Sequence, residues 1–153
     1  MATTEQVSVI KHGDRFHNFR VVDVSKDGNC LFRAISLLEH GSEDDHNHLR
    51  QKACDWIQSN WEVMLPVLEN SELYGKFNDM IEFVAHLRTP TIWGGDEPIS
   101  ALASALDCNI DVWDTLGRKH RKSPELTGKK GRKRCYNILF VESSEHYMAL
   151  CHK

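Results

Sequence analysis

The sequence lacks any apolar run that approaches the roughly 20 residues a membrane-spanning helix requires. A helical membrane protein is therefore not expected. It also lacks an excess of charge of one sign, because 19 Lys and Arg stand against 22 Asp and Glu, for a net charge of −3. Because positive and negative charges nearly cancel, the protein has no overall electrostatic attraction towards nucleic acid or an anionic membrane.

No CxxC pair occurs in the sequence, and the number of cysteines, five, is odd. The chain does not open with a secretory leader either. A disulfide framework uses an even set of cysteines in an oxidising compartment, so these absences predict free thiols. We therefore expect a protein of the cytosol or the nucleus.

The length of 153 residues, of which 41% are apolar, suits one compact domain with its own core. We expect a single domain over residues 1–153, with its core at about 20–151. Hydrophobic periodicity predicts one strand, four helices and then three strands, the last two joined as a hairpin by residues 142–145. The predicted strands are 20–24, 109–114, 136–141 and 146–151, and the predicted helices are about 30–41, 47–61, 72–87 and one from Asp96 or Ser100. This order is typical of an α+β domain with a mostly antiparallel sheet.

The segment KDGNCLFRA, residues 26–34, places Cys30 between a turn and an amphipathic helix. A helix N-terminus favours a thiolate over a thiol, since it carries partial positive charge and unpaired N–H groups. The same groups, with those of Gly28 and Asn29, could bind an oxyanion. By itself the pattern is more typical of a buried cysteine that only packs, so Cys30 is a candidate nucleophile that needs a base.

His146 is the strongest candidate base among nine histidines. It starts an apolar strand directly after a turn, at a rigid position beside a possible cleft. His46 and His48 form an HNH sequence, but no third ligand follows at a zinc-like spacing. We therefore predict a solvated loop there and no metal site.

Three segments resemble the blocks of the ovarian tumour (OTU) family of cysteine proteases, which are deubiquitinases. They are DGNCLFRA (27–34), WGG (93–95) with an acidic residue and the helix ISALASALDCNIDVW (99–113), and HYMAL (146–150). Their order and wide spacing are similar to the family's as well. The resemblance covers about residues 20–151 and implies a papain-like OTU fold, an α+β domain whose mostly antiparallel sheet is flanked by helices.

The resemblance also implies roles for individual residues. Cys30 would be the nucleophile, His146 the base, and Asp27 a member of the catalytic site, with Gly28 and Asn29 in the turn that binds the oxyanion. The substrate-binding residues would be Trp93, Gly94, Gly95, Asp96 and Glu97, of which the two acids suit the arginine-rich tail of ubiquitin. No cofactor is implied, since the reaction needs only a thiolate, a base and oxyanion donors.

One position departs from the family pattern. Many relatives have Asp or Asn two residues after the histidine, where it can orient the imidazole, and this chain has Met148. A thioether is only a weak hydrogen-bond acceptor. Asp23, Asp27, Asn137 or a backbone carbonyl could replace it, and the sequence does not choose among them.

A basic segment, residues 118–134, contains nine Lys or Arg in 17 positions. We interpret it as a solvated loop between two strands. A nuclear-import signal, an RNA contact and a site for an acidic partner are the alternatives.

The resulting prediction is a deubiquitinase that hydrolyses isopeptide bonds at the C-terminus of ubiquitin or of a ubiquitin-like modifier. Its partners would be ubiquitin or polyubiquitin conjugates, with no membrane and no nucleic acid. Two alternatives belong to other classes. One is a weak or inactive pseudo-protease that binds ubiquitin, suggested by Met148, and the other is a nucleic-acid binder that uses the basic segment.

Overall fold

A computed structural model of the chain describes residues 15–68, 74–77, 79–90, 92, 96–122 and 134–152. Two short strands come first, the five α-helices follow, and four strands complete this part of the chain. The helices are α1 (Cys30–His40), α2 (His46–Ser59), α3 (Trp61–Leu68), α4 (Met80–Arg88) and α5 (Asp96–Leu106), with short 3₁₀ turns at Tyr74–Lys76 and Glu142–Ser144. The strands are β1 (Arg15–Phe16), β2 (Phe19–Val22), β3 (Asn109–Trp113), β4 (Lys119–Lys122), β5 (Cys135–Val141) and β6 (His146–His152).

The strands form one six-stranded sheet in the order β1-β2-β6-β5-β3-β4. Every neighbouring pair is antiparallel except β3 and β5, which are parallel. The predicted α+β class with a mostly antiparallel sheet is confirmed. In the described residues, no helix combines the length and the apolar character needed to cross a membrane.

Alternate side chains on a strand point to opposite faces of the sheet, and in the central strands both sets are buried. Ile138 and Ala149 belong to the large core that the helices complete with Leu31, Ile35 and Leu102. A smaller cluster lies on the other face and is formed by Val21, Leu139, Val141, Met148 and Leu150, with Phe16, Phe19 and Trp113 against it. Strand β6 therefore runs through the middle of the protein, and its first residue, His146, is held by packing on both sides.

The predicted helix over 72–87 is wrong at its start. Helix α4 begins at Met80, where Asp79 caps it by accepting a hydrogen bond from Glu82 N–H at 3.0 Å. The sequence does contain this signal, since an Asp followed three residues later by Glu is a helix-start pattern. Residues 69–73 and 78 lie outside the described part of the chain.

The region of the second predicted helix differs in two ways. Two helices replace the one predicted over 47–61. Helix α2 ends where the side-chain amide of Asn60 donates to the Trp56 carbonyl at 3.0 Å, and α3 begins at the next residue. The predicted loop at His46 and His48 is wrong, since these residues form the first turn of α2.

Two strands were not predicted, and both are short edge strands. Strand β1 has only two residues, and β4 is the sequence KHRK at the start of the basic segment. An edge strand often carries charged residues that prevent pairing with another sheet, so it lacks the apolar alternation that predicts a strand. The predicted solvated loop over 118–134 is therefore wrong for Lys119–Lys122, which pair with β3. Residues 123–133 lie outside the described part.

Candidate active site

Cys30 is the first residue of α1, as predicted, and only 1% of its surface is exposed. The apolar side chains of helix α1 pack against the sheet. This packing places Cys30 next to the start of β6. There the backbone N–H of Tyr147 donates to Cys30 Sγ at 3.5 Å. A thiol in this position already has one donor that can stabilise negative charge on sulfur.

His146 lies between Cys30 and an acidic residue. Its Nε2 is 2.6 Å from Asp23 Oδ1, and the Cys30 side chain lies close enough to the same imidazole to raise its pKa. Because Nε2 faces the carboxylate, Nδ1 is the atom left for the sulfur. His146 and Asp23 are 2% and 5% exposed, so water does not compete for the bond between them.

The pairing of β2 with β6 explains why Asp23 reaches the histidine. Val21 lies opposite Leu150 and Val22 opposite Ala149, so Asp23 comes next, across from Met148. Side chains diagonally opposite on neighbouring strands are within reach of each other, which places the Asp23 carboxylate beside His146. The acid that relatives carry two residues after the histidine is here on the adjacent strand. Of the four candidates that the sequence left open, the structure selects Asp23.

Sequence reasoning could have ranked Asp23 first. It interrupts the apolar sequence VVDV, and an acid within a buried strand needs a partner to offset the loss of hydration. Asn137, another candidate, instead accepts a hydrogen bond from the Trp113 indole at 3.1 Å.

Opposing influences determine the protonation of His146. Burial lowers its pKa, but the hydrogen bonds and negative charges of Asp23 and Cys30 outweigh burial and raise the pKa to about 9. An imidazolium beside the sulfur is therefore favoured at neutral pH. Since the pKa in the folded protein exceeds the ordinary value of 6.5, this charge contributes its full stability below about pH 6.5 and loses it as the pH rises through about 9.

Met148→Asp tests whether the ring still needs an acceptor at the usual position. Since Asp23 already binds the ring and Met148 is 2% exposed in the smaller cluster, we expect the new carboxylate to lower the free energy of unfolding by about 3 kcal/mol. Activity should fall with it. Met148→Leu, the control, should cost less than about 1.5 kcal/mol. Denaturant unfolding and turnover measure both effects, and a stable Met148→Asp protein that turns over faster than wild type would contradict the assignment of Asp23.

Asp27 does not contact His146 through any of its hydrogen bonds in the described part of the chain. Its carboxylate accepts from Asn29 N–H at 2.9 Å and from Arg33 Nη2 at 2.9 Å. Burial raises the pKa of Asp27, but the bonds from Arg33 and Asn29 outweigh burial and hold the pKa below its usual value. The ionised Asp27 carboxylate therefore stabilises the turn before Cys30.

The turn offers fewer oxyanion donors than the sequence suggested. The N–H of Asn29 is already bonded to Asp27, and that of Cys30 donates to the Asp27 carbonyl at 3.2 Å. Gly28 N–H has no partner among the described residues. Gly28 also lines a cleft of about 360 Å³ together with Asp27, Glu145 and His146. Its N–H is therefore the donor of this turn that is free to bind a developing negative charge in the cleft.

The predicted substrate-binding segment is described only in part. Trp93, Gly94 and Gly95 lie outside the described residues. Asp96 and Glu97 form the first turn of α5, where Glu97 is half-buried. Their contact with a substrate stays a prediction.

Two of the other cysteines, Cys54 and Cys108, are buried and placed for packing. Burial raises the pKa of Cys54 to about 11 and that of Cys108 to about 12, so both stay protonated at neutral pH. A group with metal-ligating atoms lies at the junction of α1 and α2, where Glu39, His40 and Asp45 have donor atoms within 4.8 Å of one another. Glu39 is also bonded to Arg134, and the group is not part of the Cys30 site.

A thiol at a helix start, with an imidazole and a carboxylate on two paired strands, is the arrangement of a cysteine protease. Comparison with known proteins agrees. Residues 25–152 match the family model of the OTU-like cysteine proteases, and the chain belongs to that family.

Individual relatives and solved structures support the same assignment. The chain is 30% identical over 138 residues to ubiquitin thioesterase otu2 of Schizosaccharomyces pombe, a match that covers 86% of this chain and 45% of that protein. It is 24% identical over 136 residues to deubiquitinase OTUD6B of Xenopus tropicalis, covering 84% and 45%. The solved OTU domain of OTUD1 has the same fold, with a TM-score of 0.72 at 21% identity, over 87% of this chain and 85% of that one. The chain thus spans less than half the length of the two curated relatives.

Proposed function

We propose that the protein is a cysteine-dependent deubiquitinase that hydrolyses isopeptide bonds at the C-terminus of ubiquitin or of a ubiquitin-like modifier. The observation that carries the proposal is the buried pair of Asp23 and His146, 2.6 Å apart, whose imidazole lies beside the Cys30 side chain and lines a cleft. The names of the two curated relatives, a ubiquitin thioesterase and a deubiquitinase, supply the substrate class.

In the first half of the reaction, the Cys30 sulfur attacks the carbonyl carbon at the ubiquitin C-terminus. Negative charge moves to the carbonyl oxygen, which Gly28 N–H stabilises from the cleft wall. His146 then gives its Nδ1 proton to the leaving amine, the C–N bond breaks, and a thioester remains on Cys30. Asp23 keeps the ring in the orientation and tautomer that this transfer requires.

In the second half, His146 is neutral and accepts a proton from water. The resulting hydroxide attacks the thioester, the C–S bond breaks, and Cys30 returns as a thiolate beside the imidazolium, while the product leaves as a carboxylic acid that gives its proton to the solvent. The pair that starts the cycle is therefore restored. The reaction uses no group beyond the chain and water.

The direct test is hydrolysis of a fluorogenic conjugate at the ubiquitin C-terminus, followed by a panel of diubiquitins and of conjugates of ubiquitin-like modifiers. The proposal requires turnover of at least one of them. Lack of turnover on all, with the protein folded, would overturn it. The panel also identifies the linkage and the modifier that the enzyme prefers.

The second candidate function is that of a ubiquitin-binding protein without activity. It was suggested by Met148, which stands where relatives have an acid or amide. The 2.6 Å contact of Asp23 with His146 removes that reason for it. A ubiquitin-propargylamide probe separates the two, because an active site forms a covalent adduct at Cys30 and an inactive one binds ubiquitin without an adduct. The nucleic-acid alternative stays a prediction, since residues 123–133 lie outside the described part.

Replacing the acid should change the pH dependence. In Asp23→Asn the ring loses a negative neighbour, so the pKa of His146 should fall from about 9 towards its ordinary value of 6.5. The imidazolium then loses its proton at lower pH, and the alkaline limb of kcat/KM should move to lower pH. A pH profile on the fluorogenic ubiquitin substrate measures this.

Asp114→Asn is the control for this experiment, because Asp114 pairs with Arg118 at the surface and is separate from the site. Its alkaline limb should match that of wild type. An unchanged limb in Asp23→Asn would show that the carboxylate does not set the charge on His146.

The proposed location is a reducing compartment, the cytosol or the nucleus. The five cysteines, all free, support it, because a thiolate nucleophile must stay reduced to act.

A further inference from the structure

Arg50 of α2 is a buried cation that the proposed mechanism does not use. Its side chain is 1% exposed, and burial lowers its pKa. Taking a guanidinium out of water is expensive unless its N–H groups find acceptors. Nη1 donates to the Leu87 carbonyl at 2.8 Å, and the guanidinium stacks over the Phe32 ring at 4.6 Å.

Nη2 of Arg50 reaches the turn before the nucleophile. It is 3.0 Å from the Gly28 carbonyl and 3.1 Å from Asn29 Oδ1. Asn29 is the N-cap of α1, yet its side chain makes no capping bond, since its oxygen is directed to Arg50. An N-cap bond typically stabilises a helix by about 1 kcal/mol. Helix α1 lacks this stabilisation because the Asn29 side chain binds Arg50 instead.

The third acceptor of Nη2 is the Ile92 carbonyl at 2.6 Å. Ile92 directly precedes residues 93–95, the segment predicted to bind substrate. Leu87 lies in the last turn of α4, where carbonyls have no partner within the helix. One guanidinium therefore joins the turn before Cys30, the end of α4 and the chain that enters the predicted substrate segment.

We infer that Arg50 is a positioning residue for the proposed reaction, which holds the turn before Cys30 so that Gly28 N–H faces the oxyanion. The inference rests on the proposed function. Arg33 binds the Asp27 carboxylate of this turn, and Arg50 binds the carbonyl of Gly28, the residue that lines the cleft. The Gly28 N–H shares a rigid peptide plane with the Asp27 carbonyl, which accepts from Cys30 N–H at 3.2 Å, and Arg50 holds the next plane through the Gly28 carbonyl. Both peptide planes that meet at Gly28 are therefore held, and Arg50 holds one of them.

Arg50→Lys tests this role. Lysine keeps the positive charge, but its single nitrogen cannot reach four acceptors in three segments. We expect kcat on the fluorogenic ubiquitin substrate to fall about ten- to hundredfold with KM changed less than about threefold, because the donor is displaced in the transition state. Alkylation of Cys30 by iodoacetamide should keep its wild-type rate, since displacement of iodide creates no oxyanion.

Arg88→Lys is the matched control. Arg88 also joins α4 to α2, through Asp55 at 2.7 Å and Gln51 at 2.9 Å, but it is part-exposed and does not bond the turn. Its kcat should stay within about twofold of wild type. The inference is overturned if Arg50→Lys matches this control, or if alkylation falls in proportion to kcat, which would indicate general damage to the Cys30–His146 pair.

Asn29→Ala serves if Arg50→Lys does not fold. It removes one contact between Arg50 and the turn and leaves the guanidinium with its three carbonyls. We expect kcat to fall several-fold, up to about tenfold, with alkylation unchanged, and a wild-type kcat would overturn the inference. If the wild-type protein hydrolyses no conjugate of ubiquitin or of a ubiquitin-like modifier, the proposed function is refuted instead. Failure of the Arg50 inference and failure of the proposed function are therefore distinguishable.

Discussion

Cys30→Ala is expected to reduce hydrolysis of a ubiquitin conjugate below detection while the protein stays folded. Without sulfur, no thioester can form, and the remaining groups cannot replace a nucleophile. The change removes one buried atom, so we expect a loss of no more than about 1–2 kcal/mol in the free energy of unfolding. Turnover on the fluorogenic substrate, labelling by the propargylamide probe and thermal unfolding measure the three quantities.

Cys54→Ala is the matched control, because Cys54 is also buried in a helix, at 2% exposure, and burial raises its pKa to about 11. It should lose similar stability and keep its activity. Persistent probe labelling of Cys30→Ala would show that another cysteine is the nucleophile.

His146→Ala is expected to lower kcat/KM by about 10⁴-fold or more, as loss of the base does in other nucleophile–base pairs. The variant removes the proton donor for the leaving amine and the positive charge beside the sulfur. It also leaves the Asp23 carboxylate buried without its partner at 2.6 Å, so thermal stability should fall. Initial rates and a thermal unfolding curve give both effects.

His152→Ala is the comparison within the same strand. His152 is exposed at the end of β6, and its ring is tilted against that of Phe19 with ring centroids 5.2 Å apart. Its loss should change the rate by less than about twofold. Equal effects of the two substitutions would reject His146 as the base.

The sequence by itself determined the fold class and the two central residues of the candidate site. Amphipathic periodicity located α1 and α5, and alternating apolar residues located β5 and β6, because these elements bury one or both faces in the core. Cys30 and His146 stand at the first residues of α1 and β6, where local turn chemistry marks the boundary. Local patterns are sufficient where the physical cause is local.

Edge elements and helix divisions were predicted less well. Strand β4 is charged, so its pairing with β3 depends on the neighbouring strand rather than on its own sequence. Helix α3 contains Pro66, which a sequence pattern treats as a breaker, yet Met64 and Leu68 are fully buried in the core. Tertiary packing overrides propensity in both cases.

Only the tertiary structure decided which acid orients His146 and what holds the turn before Cys30. Asp23 is 123 residues from His146 in sequence and meets it through the β2–β6 register, and Arg50 is about 20 residues from the turn that it bonds. Such contacts depend on strand order and helix packing, which no local pattern records. A buried charge in an apolar segment shows that a partner must exist, because desolvation is costly, but only the fold identifies the partner.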